Sequence, residues 1–135
     1  MATLTADRTT PRRSQVRVSL LVAAGVILFS GAMVGINASG YAVPAGSGTA
    51  VRTLGVCVAR ADNTTGLAGA IRVMVERSTW QFNNSAGGDA ITAAAIGTVC
   101  YAVDDNTVAL TSNSGARTTA GIVRDVDSAG VWVEF

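Results

Sequence analysis

Two stretches of this chain carry the same series of apolar runs and polar breaks, and any fold must accommodate both. They run from Ala32 to Glu76 and from Thr98 to Phe135. Asn37-Ala-Ser-Gly-Tyr-Ala-Val43 lies over Asp104-Asp-Asn-Thr-Val-Ala-Leu110, and Leu54-Gly-Val56 lies over Ala120-Gly-Ile122. Ile71, Val73 and Val75 lie over Val131, Val133 and Phe135. The offset drifts from 67 to 66 to 60 residues, which places the insertions in the polar connectors. Two copies are too few for a solenoid. They suit one all-β domain over residues 18–135 with an internal repeat, 32–76 and 98–135.

The local patterns agree with strands. Ala70 to Glu76 alternates, with Ile71, Val73 and Val75 on one side and Arg72, Met74 and Glu76 on the other. That is the period of a half-buried strand. Leu54 to Arg60, Ser78 to Phe82, Thr98 to Val103, Thr107 to Leu110, Thr119 to Arg124 and Gly130 to Phe135 read as further strands. Tyr41-Ala-Val43 is a short one ended by Pro44. Asp62 to Gly66 and Asp125 to Ala129 read as turns, and Asp89 as the cap of a single helical turn over Ile91 to Ala95. Short strands with turns every 8–12 residues predict a sandwich or barrel. Trp80 and Phe82 share a strand face. With Trp132 and Phe135 they are candidates for the core or for a subunit interface.

Residues 1–17 are polar and irregular, with Arg8, Arg12, Arg13 and Arg17 against the single acid Asp7. They read as a flexible basic arm whose four Arg are candidate anchors, since the planar guanidinium suits surface carboxylates. Val18 to Ile36 holds no charge over 19 residues and follows the Arg cluster. Its length and flank fit a membrane-spanning helix or an export signal. Gly25, Gly31 and Gly35 also divide it into pieces of strand length, Ser19–Val22, Val26–Phe29 and Ala32–Ile36. Both readings stand at this level.

Composition narrows the chemistry. The chain of 135 residues has 14% charged residues, against roughly 25% in average soluble domains. So little surface charge suggests that part of the exterior is covered by a partner. All ten basic residues are Arg, and there is neither Lys nor His. The commonest general base and the Schiff-base nucleophile are therefore missing, and we expect no enzyme and no cofactor. Asp104, Asp105, Asp125 and Asp127 lie in two separate turns without the spacing of a calcium loop, so we expect no metal. A net charge of +1 and 5% aromatic residues give no stacking surface for nucleic acid. Cys57 and Cys100 lie in apolar runs and read as buried free thiols, a disulfide being open to them only in an oxidising compartment.

Two segments resemble the capsid decoration, or cement, proteins of tailed bacteriophages. One is Asp89-Ala-Ile-Thr-Ala-Ala-Ala-Ile-Gly97 followed by Thr98 to Val108; the other is Ala120 to Phe135. Val22-Ala-Ala-Gly25, Gly31-Ala-Met-Val34 and Gly40-Tyr-Ala-Val-Pro44 look like the opening of the same family. The resemblance covers about residues 18–135 and rests on the order of its motifs. It implies a compact β-barrel or β-tulip-like domain and a homotrimer on the outer surface of an icosahedral head. Its partner would be the major capsid protein, and the protein would be made in the host cytoplasm and carried on the virion. It implies strands at Val18–Ile36, no membrane contact and no catalytic residues. The alternative is a bacterial envelope protein with a membrane anchor at Val18–Ile36 and a small external β-domain.

Overall fold

The computed structural model describes residues 3–14 and 16–135. Strands hold 45% of the chain and helix 5%, all of the latter in single turns, so the fold is all-β. The first seven strands are β1 (Arg17–Leu21), β2 (Val26–Leu28), β3 (Met33–Asn37), β4 (Ala42–Pro44), β5 (Ala50–Cys57), β6 (Ala61–Asn63) and β7 (Arg72–Glu76). Five more follow: β8 (Thr79–Asn84), β9 (Val99–Ala102), β10 (Thr107–Ala109), β11 (Thr119–Asp127) and β12 (Gly130–Glu134).

One sheet has the order β1-β7-β5-β3-β4, and a closed barrel has the order β8-β12-β11-β9-β10. The two orders correspond strand for strand. The registers correspond as well. Val56 pairs with Glu76, and Ile122 with Glu134. Val18 pairs with Val75, and Trp80 with Val133. The parallel ladder Thr107↔Asn83, Val108↔Asn84 closes the barrel, and a single parallel bridge, Val22↔Ala42, joins the same two places in the first sheet. Even the strand entries match: Arg77 N donates to Val16 O at 2.7 Å, and Phe135 N to Ser78 O at 3.1 Å.

These ladders move two of the sequence alignments. Ala42 is the counterpart of Val108, 66 positions on, so the first offset of 67 is one residue too long. Glu76 is the counterpart of Glu134, 58 positions on, so Val75 matches Val133 and Arg77 matches Phe135. The drop from 66 to 58 has a structural cause. The β5–β7 connection of the first half contains β6, which pairs with β2 as a separate two-stranded flap. The β11–β12 connection is a tight hairpin. Asp62 and Asn63, expected within a turn, are therefore strand.

Two glycines mark where strands cross closely in both halves. A Cβ on Gly55 would lie 2.6 Å from Glu76 O and 2.9 Å from Val75 Cγ1. A Cβ on the equivalent Gly121 would crowd Glu134 O and lie 2.9 Å from Val133 Cγ1. Only glycine admits such an approach of neighbouring backbone.

The apolar side chains form two main clusters. The larger gathers the barrel interior, including Phe82, Cys100, Val108, Val123, Val131 and Val133, and also takes Met33, Ala45 and Val56 from the first sheet. The smaller lies between the first sheet and its flap, with Val22, Leu28, Val34, Cys57, Val73 and Val75. Alternation is why both faces of β3 and β5 find a core: Val34 and Cys57 enter the smaller cluster, Met33 and Val56 the larger.

Val18 to Ile36, where the envelope alternative requires an anchor helix, forms β1, β2 and most of β3. Among the described residues no helix is long and apolar enough to cross a membrane. The glycines explain the break: Gly25 and Gly31 adopt φ of +70° and +87° in the turns that separate these strands, a region open to glycine without steric cost.

Candidate functional site

Residues 3–14, within the expected arm, have no regular structure, and all of them, Arg8, Arg12 and Arg13 included, are exposed. Met1, Ala2 and Gln15 of the expected arm lie outside the described residues. Arg17 departs from expectation. It is the first residue of β1, and its Nε donates to Glu76 Oε1 at 2.8 Å across the β1–β7 ladder. Its charge is used within the sheet, because the strand register sets Arg17 directly opposite Glu76.

The four aromatic candidates separate. Phe82 is buried and meets Phe135 edge-to-face, with ring centroids 5.9 Å apart. Trp80 packs half-buried against the same cluster, with its indole Nε1 enclosed and unpartnered. Trp132 lies on the other face of β12, where its Nε1 donates to Asp127 Oδ2 at 3.0 Å. Three of the four are thus core residues, and Trp132 faces outward.

The acidic turns are consumed by their own backbones. Asp104 Oδ1 accepts from Asn106 N at 2.8 Å. Asp127 Oδ1 accepts from Ala129 N at 2.8 Å and Gly130 N at 3.1 Å. The Trp132 indole, then these amides, hold the Asp127 carboxyl below the usual carboxylate range. Among the described residues no group of three or more acids and thiols is placed to hold a metal ion. Asp89 does not cap the turn after it; the single 3-10 turns are Gly87–Asp89 and Ala93–Ala95, the latter entered from Thr92. Instead it accepts from Thr111 Oγ1 at 2.5 Å and pairs with Arg117 at 3.2 Å, which fastens the polar 111–117 loop to the barrel. Cys57 and Cys100 are unbridged and sit in different clusters, and burial pushes both thiols up. Neither is activated for nucleophilic attack.

Sequence reasoning gave no special place to Asn63, the one buried polar residue among the described residues. Its Nδ2 donates to Ala23 O and Leu67 O, both at 2.9 Å, and to Val22 O at 3.4 Å. It staples the flap to the seam at Val22. The Asn-Thr-Thr-Gly run signalled a turn; only the partners' positions make it a clamp.

One feature belongs to both halves. A cleft of about 370 Å³ opens where they abut. Val18, Leu54, Val75 and Arg77 line it from the first half, and Ile122 and Glu134 from the second. Thr53 Oγ1 is enclosed beside it without a partner. The lining is mainly aliphatic and brings together no acid–base or nucleophilic set, so the cleft is suited to apolar contact. No family model, curated protein or solved structure matches the chain.

Proposed function

We propose that this chain is a decoration protein that binds the outside of a tailed-bacteriophage head as a homotrimer and clamps neighbouring major capsid proteins. The observation that carries this is the ordered motif series Asp89 to Val108 and Ala120 to Phe135, which supplies β9 through β12, four consecutive strands of the closed barrel. The low charge and the exposed apolar residues Phe29, Val51, Leu67 and Ile96 support a covered exterior. The number three comes from the resemblance alone.

The mechanism is linkage and needs no reacting group. A ligand that binds the expanded shell and not the unexpanded one stabilises the expanded shell by its binding free energy. Three subunits engaging several capsomers add avidity without any single strong contact. An exposed arm bearing Arg8, Arg12 and Arg13 can order against acidic capsid surface, each exposed pair contributing about 0.2–1 kcal/mol. Adding purified protein to heads that lack it tests the proposal. Saturable binding at three-fold positions of expanded heads, with a raised disruption temperature, is expected. Absence of binding to both expanded and unexpanded heads of the parent particle overturns it. Deleting residues 2–13 should leave the β-domain folded and weaken retention as salt rises; equal retention at every salt concentration removes the arm from the mechanism.

A further inference from the structure

The cleft straddles the junction of the paired halves, taking Leu54 and Arg77 from the first and their counterparts Ala120 and Phe135 from the second. Its two sides are filled unequally. On one side Trp80 packs against the cluster that holds Val56, Ala120 and Val133. On the other the counterpart of Trp80 is Val18, which lines the opening. A valine stands where the other half has an indole, so the cleft is an apolar site short of side-chain filling on the Val18 side. Its walls Leu54 and Val75 would gain contact from any large apolar side chain inserted there.

We propose that this cleft is the docking site for the arm of a second copy of this chain, with Leu4 as the inserted side chain. Three observations select that occupant. Leu4 is 70% exposed and is the large aliphatic residue of the described arm. The arm leaves the fold at the cleft's own lip, where Arg77 N holds Val16 O at 2.7 Å and Val18 lines the wall. Contact between the cleft regions of two copies therefore brings each arm root beside the other's cleft. In a single copy residues 3–14 are all exposed, so the chain's own cleft does not cover them. The ten steps from Leu4 to Ser14 span up to about 33 Å when extended, at about 3.3 Å per residue, enough to cross to a neighbour. At the lip, Arg124 Nε donates to Glu134 Oε2 at 2.6 Å, and the second oxygen can take an arm guanidinium. Arg77 opposes that attraction, so the apolar insertion carries the contact. The proposal concerns self-association and holds whether or not the assembly sits on a capsid.

Disulfide trapping in the otherwise complete chain tests it. Protein carrying Leu4→Cys is mixed with protein carrying Leu54→Cys under mild oxidation; Cys57 and Cys100 are buried and react slowly. The control partner carries Leu67→Cys, which is 82% exposed and outside the cleft. A mixed covalent dimer forming at least tenfold faster with Leu54→Cys than with Leu67→Cys is expected. Adding Val18→Trp to the Leu54→Cys partner, which installs the filling residue of the other half, should abolish that excess. Equal rates for the two partners overturn the proposal. So does a Leu4→Cys/Leu54→Cys double variant that yields an intrachain bridge and no dimer, because the occupant is then the chain's own arm.

Discussion

The first sheet and the closed barrel share strand order and register but are held together differently. The barrel closes with a two-residue parallel ladder and fills its interior with Phe82, Trp80 and Phe135. The first sheet has one bridge at the same place, aliphatic residues at the counterparts of Phe82 and Trp80, and a flap stapled by Asn63. Topology is thus maintained with two different fillings. Where aromatic volume is present the seam closes by itself; where it is absent, the paired strands β2 and β6 and a buried amide complete it.

The largest effect should expose that difference in core filling. Phe82→Ala should cost about 3–5 kcal/mol. Leu20→Ala at the equivalent place should cost less than about 2 kcal/mol, since Leu20 is only half-buried. Urea midpoints measure both, and equal losses would break the contrast. Next come the crossings. Gly55→Ala and Gly121→Ala should each cost about 1–3 kcal/mol through forced backbone shifts. Gly121 should be the worse, because its added Cβ crowds the facing carbonyl more closely. Thermal melts of the pair decide this, and tolerance at either site would show that the strands can separate there. Asn63→Ala should cost about 1–3 kcal/mol by stranding buried carbonyls. Its signature is local: hydrogen exchange should accelerate at the flap and at Val22 while the barrel amides stay protected.

The corresponding connection of the barrel is held by a carboxylate, so it should respond to acid. The Asp127 pKa is lowered on folding, chiefly by the Trp132 indole and then by turn amides. Its contribution is complete above the unfolded value, near 3.8, and is lost as pH falls through the depressed folded value. Asp62, held down by Thr64, and Asp89, held down by Thr111, act in the same direction. Melting temperature should therefore drop below about pH 4, less steeply in Asp127→Asn; an identical slope would remove Asp127 from the acid response. The smallest effects belong to the exposed ion pairs. Arg17→Ala and Arg124→Ala should each cost about 0.2–1 kcal/mol and be masked by salt. A larger loss at Arg17 alone would mean that its partner Glu76, less exposed than Glu134, makes the first sheet depend on charge.

Alternation and turn chemistry make much of this fold legible in the order of residues. Val73 and Val75 are buried and Met74 is exposed, as their spacing requires. Gly25 and Gly31 separate strands within Val18–Ile36, because positive φ stops an extended run regardless of its hydropathy. Offsets between similar segments are less legible. A slip of one or two residues changes few letters, whereas hydrogen bonding admits one register.

The sequence by itself determined that the chain is built of short strands and that its apolar residues recur in two similar sets. Those properties are local, set by side-chain period and backbone permission. Tertiary structure decided that Arg17 belongs to a sheet, that Asn63 is a clamp and Asp89 a loop anchor, and that the cleft between the halves stays open beside Val18. Each of these depends on which groups distant segments bring within a few ångströms. A residue's type sets what it can bond or fill, but only the assembled fold supplies the partner or the space.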